Sequence, residues 1–120
     1  MRKKRKRYFY IPVGGGIEFG ESSLIAARRE VKEETGEEIE NEKLLNISEN
    51  IFTFNGIPEH EIVFVYSAEF KNKEAYTSPL KAGINTEGNA IKLVWASIEE
   101  IRNNNIKLYP SSLLDILSKA

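Results

Sequence analysis

Three consecutive glycines, Gly14, Gly15 and Gly16, stand between an aromatic, β-prone stretch and a helix signal. Tyr8, Phe9, Tyr10, Ile11, Pro12 and Val13 read as a strand that ends near the proline. Ser22 or Ser23 caps a helix that runs to Thr35, and Gly36 stops it. Leu24, Ala27 and Val31 recur at i, i+3 and i+7 and give this helix an apolar stripe. The chain is thus committed early to a strand, a glycine loop and a helix in succession. A loop of that composition reaches backbone conformations closed to other residues and lets other groups approach closely.

Strands dominate the rest of the chain. Residues 44–54 are rich in Ile, Leu and Phe, and Asn55-Gly56 with Pro58 marks a turn. Residues 62–70 form the clearest strand of the chain, 71–90 read as a long polar loop, and 91–96 as another strand. Short helices are expected over 97–102 and 111–119, the second led in by Tyr109-Pro110. No repeat or linker divides the chain. At 120 residues it makes one α/β (α+β) domain spanning 1–120, with about two-thirds of its unfolded surface buried.

Composition excludes several chemistries. There is no cysteine, so no disulfide, thiolate metal site or cysteine nucleophile, and His60 alone cannot build a polyhistidine zinc site. No apolar run approaches the ~18–20 residues of a membrane span and no signal peptide is visible. A cytoplasmic protein without a membrane partner is expected. The net charge of -1 conceals two opposed blocks. Residues 2–7 are all basic, whereas nine glutamates lie between Glu18 and Glu42 against only Arg28, Arg29 and Lys32. Such an acidic block must be solvated, paired or used to hold cations.

The glycine loop fits neither common phosphate-binding pattern. Gly20 is followed by Glu21 and Ser22 rather than Lys and Ser/Thr, and the dinucleotide spacing fails at its third glycine. Glu18 and Glu21 would repel a bare anion, so a phosphate here needs an intervening cation. Glu30, Glu33 and Glu34 stand at i, i+3 and i+4, within one ~100° arc of the helix. Their carboxylates are hard oxygen ligands suited to Mg2+ or Mn2+. Arg29 is placed to pair with Glu21 across the loop. Taken alone, three such glutamates describe a solvated face and a glycine triplet describes a turn. Only the joint pattern carries chemistry.

That joint pattern resembles the signature of the Nudix hydrolase family, G-x5-E-x7-R-E-U-x-E-E-x-G-U, where U is a bulky apolar residue. Gly15, Glu21, Arg29, Glu30, Val31, Glu33, Glu34 and Gly36 occupy its positions over residues 15–37. The final U is Glu37, with Ile39 close by as a packing substitute. The resemblance implies an α/β/α sandwich with a mixed sheet, and metal-dependent hydrolysis of a nucleoside diphosphate linked to another moiety. By position it makes Glu30, Glu33, Glu34 and the Gly15 carbonyl metal ligands. Glu33 or Glu34 becomes the candidate base, and Glu21 and Arg29 a structural or electrostatic pair.

Family members often add a carboxylate from outside the signature, for which Glu87 is the first candidate and Glu61 the second. His60 is a candidate substrate contact, though a lone histidine at a strand start is most simply structural. Phe52, Phe54, Tyr66 and Trp95 could stack a base, but on strands of this kind aromatics usually form core. The family also usually has a strand and hairpin ahead of the glycine loop. Here residues 2–7 look like the end of one strand running straight into 8–13, with the first strand missing. An edge left open in that way would be covered by a second copy. The basic run has a rival reading as a nucleic-acid contact, which the acidic body opposes. Two other functions stay open: a catalytically impaired binding or regulatory module with this fold, and an RNA 5′-end pyrophosphohydrolase.

Overall fold

The computed structural model describes residues 2–3, 9–77, 83–84, 90–105, 107–108 and 112–119. Its strands are β1 (Arg2–Lys3), β2 (Phe9–Ile11), β3 (Ile39–Phe54), β4 (Ile57–Phe70), β5 (Gly83–Ile84), β6 (Ala90–Leu93) and β7 (Lys107–Leu108). Its helices are α1 (Ser23–Thr35), α2 (Ile98–Asn103) and α3 (Leu113–Ser118). A 3-10 turn at Lys73–Tyr76 interrupts the stretch expected to be loop. The result is a mixed α+β fold. Among the described residues no helix is long and apolar enough to cross a membrane.

One sheet runs β5-β6-β1-β2-β7, mixed because β2 and β7 are parallel while the other pairs are antiparallel. Here the N-terminal expectation is corrected. Arg2–Lys3 is a strand of its own, paired antiparallel with both β2 and β6, and not the lead-in to the Phe9–Ile11 strand. β2 therefore has a neighbour on each side within the chain. Residues 4–8 lie outside the described residues.

The second sheet is the long hairpin β3–β4. Asn55 and Gly56, at φ 51° and 78°, form its two-residue turn between Phe54 and Ile57. Positive φ at both central residues is the geometry that matches the right-handed twist of the strands. Pro58 stands inside β4 opposite Thr53 rather than in the turn. A strand with an open edge tolerates its missing donor. β3 begins earlier than its apolar run suggests. The polar stretch Glu40–Lys43 is carried through a bulge, with Asn41 at φ 55°.

α1 follows its local signals. The Ser22 hydroxyl accepts from the Ile25 N–H at 3.2 Å, and Gly36 closes the helix at φ 77°. α2 begins with a capping box made by Ser97 and Glu100. Ala26, Ile39, Ala75, Leu93, Ile101 and Leu113 are the buried apolar residues among those described. The apolar stripe of α1, in contrast, is only half-buried at Leu24, Ala27 and Val31. Its most buried row is Ala26, Glu30 and Glu34, at i, i+4 and i+8. The helix thus turns two carboxylates inward, toward the glycine loop.

Candidate active site

Burying a carboxylate costs free energy unless something compensates it. Glu30 and Glu34 are each 3% exposed, so what surrounds them decides whether this is a site. Glu34 Oε2 accepts the Gly14 N–H at 3.0 Å. Glu30 lies directly beneath Gly15. A Cβ built on Gly15 would stand 2.5 Å from the Glu30 carboxyl carbon, closer than any side chain allows. Gly14 and Gly16 have open space at the corresponding position. Gly15 is therefore glycine because its backbone lies against the Glu30 carboxylate, not because of its dihedral angles.

Arg29 ties the loop to the helix. Its Nε and Nη2 donate to the two Glu21 oxygens at 2.7 and 2.9 Å, in a fork that matches the carboxylate. Nη2 also donates to the Gly16 carbonyl at 2.9 Å. Nη1 donates to Glu30 Oε1 at 2.8 Å and reaches Glu33 at 3.3 Å. Glu21 is fixed further by the Glu18 N–H at 3.1 Å. One guanidinium thereby joins three carboxylates and a loop carbonyl.

The arrangement marks Glu21 electrostatically. The hydrogen bond from Arg29, then that from the Glu18 backbone, holds its carboxyl at about 2 against an ordinary 4.5. The same contact with Glu21 raises Arg29. A carboxylate with a depressed folded value stabilises the fold above its unfolded value and loses that contribution as pH falls toward the folded one. The stability difference between wild type and Glu21→Gln is therefore expected to be complete above about pH 4.5 and to shrink toward pH 2. Urea denaturation across that range measures it. A difference that does not change with pH would refute the pairing.

The structure brings Gly15, Glu21, Arg29, Glu30, Glu33 and Glu34 into one cluster at the junction of loop and helix. Among the described residues no three His, Cys, Asp or Glu side chains stand close enough to hold a metal ion. The hydrogen bonds explain the spread. Arg29 holds Glu30 and Glu33, while Glu34 is turned to the Gly14 N–H. The donor chemistry nonetheless fits a hard divalent cation: two buried carboxylates, a third half-exposed one, and a glycine without the Cβ that would fill the space above Glu30.

The other candidates separate. Glu87, Tyr109 and Pro110 lie outside the described residues. His60 pairs with Glu49 at 2.7 Å on the exposed side of the hairpin, away from the cluster's hydrogen bonds. Glu61 meets Asn50 at 3.5 Å and lines a cleft of about 730 Å³ beside the site. That cleft is lined by residues 12–17, by Ala26, Ala27 and Val31 of α1, by β4, and by Tyr76 and Trp95. The Tyr66 hydroxyl is 2.8 Å from Ser23 Oγ and spans from β4 to the start of α1. Phe52 and Phe54 do not line this cleft. Tyr76 carries no signal in the sequence, since it sits in a polar stretch without periodicity.

The NUDIX domain profile matches residues 1–114 of the 120. The chain belongs to the Nudix family. That match extends well beyond the segment 15–37 on which the sequence resemblance rests. It assigns the protein to a class whose general activity is hydrolysis of acid anhydrides in compounds built on a nucleoside diphosphate. Within this Nudix fold, the cluster around Gly15 and Arg29 is where the family signature and the buried carboxylates coincide.

Proposed function

We propose that this Nudix domain hydrolyses a nucleoside diphosphate linked to another group, with Mg2+ or Mn2+ as cofactor. The observation that carries the reading is the inward row of α1. A helix buries Glu30 and Glu34 at 3% exposure only where their charge has a use that outweighs the cost. Glu30, Glu33, Glu34 and the Gly15 carbonyl would hold the cation. When bound, it supplies Lewis acidity toward the phosphoryl oxygens and makes the attacking water more acidic.

The chain's own residues do the rest. Arg29 keeps Glu30 and Glu33 oriented, and through Gly16 and Glu21 fixes the loop against the helix. Glu33, with 44% of its side chain exposed, or Glu34 accepts the proton of the attacking water. The glycine loop presents backbone rather than side chains to the diphosphate, so the substrate approaches without steric obstruction.

The test is turnover against a panel of nucleoside triphosphates, nucleotide sugars, ADP-ribose, dinucleoside polyphosphates and capped RNA. Each is assayed with Mg2+, with Mn2+ and with a chelator. Release of phosphate or nucleotide from at least one compound, abolished by the chelator, is the expected result. No release from any of them, or release that the chelator leaves unchanged, would overturn the proposal.

A further inference from the structure

The wall of the cleft opposite α1 is more apolar and more exposed than a folded domain usually leaves uncovered. Side chains alternate along β4, so Ile62, Phe64, Tyr66 and Phe70 share one face. The Tyr66–Ser23 contact shows that this face looks toward α1. Ile62 is 61% and Phe64 37% exposed there. Contiguous exposed apolar surface that lines a concavity marks a binding groove more often than a packing defect. The volume of about 730 Å³ lies within the range of small-molecule sites.

Where Phe70 ends that wall, three aromatic rings meet. Tyr76 and Trp95 are stacked, with centroids 5.5 Å apart and planes at 30°. Phe70 meets Trp95 edge-on at 5.7 Å and Tyr76 tilted at 5.5 Å. Hydrogen bonds anchor the Tyr76 side of the pair. The Phe70 N–H donates to the Tyr76 hydroxyl at 2.7 Å. Lys73, in the same 3-10 turn as Tyr76, reaches Glu40 and Glu69 at 3.3 Å and the Phe70 carbonyl at 2.8 Å. Yet Tyr76 and Trp95 remain 44% and 49% exposed, and both line the cleft. An aromatic pair anchored through Tyr76, with about half its surface uncovered, offers a stacking face that needs little further ordering.

We propose that Tyr76 and Trp95 form the shelf on which the base of the nucleotide stacks. The proposal rests on the reading of this cleft, which residues 12–17 of the glycine loop also line, as the substrate site. A nucleotide carries a partner for each part of this lining: a flat base for the rings and phosphates for the glycine loop. Stacking on an aromatic shelf is tolerant of base identity. The shelf accordingly requires a base, and does not select one.

Trp95 is the single tryptophan of the chain, so its fluorescence reports on this shelf alone. Titrate the protein, in chelator, with AMP, GMP, CMP and UMP, and in parallel with ribose 5-phosphate and inorganic pyrophosphate. Free tryptophan amide corrects for absorbance. Saturable quenching by the four nucleotides and none by ribose phosphate or pyrophosphate is expected. Tyr76→Ala, read through the same tryptophan, should weaken nucleotide binding by roughly tenfold or more. Trp95→Leu should raise KM for a nucleotide substrate with little change in kcat.

Equal responses to nucleotides and ribose phosphate would overturn the shelf. So would a Tyr76→Ala protein that melts earlier but binds as tightly, which is the signature of a purely structural ring. Base-dependent quenching without turnover of any substrate would remove the hydrolytic reading and keep the shelf. Turnover without base-dependent quenching would do the reverse.

Discussion

Glu34→Gln is expected to lower the hydrolytic rate by about 10²–10⁴-fold, the range for losing a positioned proton-transfer group, without loss of fold. The substitution keeps the shape and a carbonyl oxygen to accept the Gly14 N–H, which Glu34 now receives at 3.0 Å. What it removes is charge at a position only 3% exposed. Removing one member of a buried charged interaction is destabilising, but a substitute that keeps the hydrogen bond limits the loss. The melting temperature without divalent metal should therefore fall only modestly, by much less than the loss of rate would require if unfolding caused it. Glu33→Gln makes the comparison informative. Glu33 has 44% of its side chain exposed, so its substitution should leave stability alone whatever it does to rate. Steady-state kinetics and thermal melts on the two variants distinguish the outcomes. A loss of rate that tracks a loss of stability would return both glutamates to a structural role. Intact turnover in both variants would remove them from the chemistry.

The parts of the fold legible in the sequence are those set by local chemistry. Ser22 caps α1 and Gly36 ends it because each bonds or bends only its own neighbours. The Asn55-Gly56 turn is readable for the same reason. The face that α1 buries is not local. Leu24, Ala27 and Val31 satisfy the apolar period, yet tertiary packing sinks Ala26, Glu30 and Glu34 deeper. A hydrophobicity pattern cannot announce that two carboxylates point inward. Only the spacing of Gly15, Arg29 and the glutamates does so. Arg2–Lys3 is similarly opaque, since basic residues carry no strand signal and long-range pairing with β6 defines that strand. Trp95 reads as core because aromatics on strands usually are. It is instead half-exposed, stacked on Tyr76 across a stretch of sequence that shows no periodicity.

Among the described glycines, Gly15 is the one where a single added methyl group meets a clash, so Gly15→Ala should be damaging. The new Cβ would lie 2.5 Å from Glu30 Cδ and Oε2 and 2.7 Å from Oε1, so one side must move. Glu30 is 3% exposed and held by Arg29 Nη1 at 2.8 Å. Its carboxylate can leave only by breaking that bond. The loop can lift only by stretching the Arg29 contact with Gly16, now 2.9 Å. Either movement parts the loop carbonyl from the buried carboxylate. A loss of roughly 10–100-fold in Mn2+ affinity is expected, the range for disturbing groups that orient metal ligands, with turnover reduced at least as much. Overall stability should fall as well, since either movement breaks a contact of Arg29 and outweighs the restriction alanine places on the unfolded chain. Gly14→Ala and Gly16→Ala are the controls, because a Cβ at either position meets nothing within 4 Å. Binding of Mn2+ measured by electron paramagnetic resonance, turnover and thermal melting on the three variants complete the series. If Gly15→Ala binds Mn2+ and turns over substrate like Gly16→Ala, the close packing of Gly15 on Glu30 has no part in holding the ion.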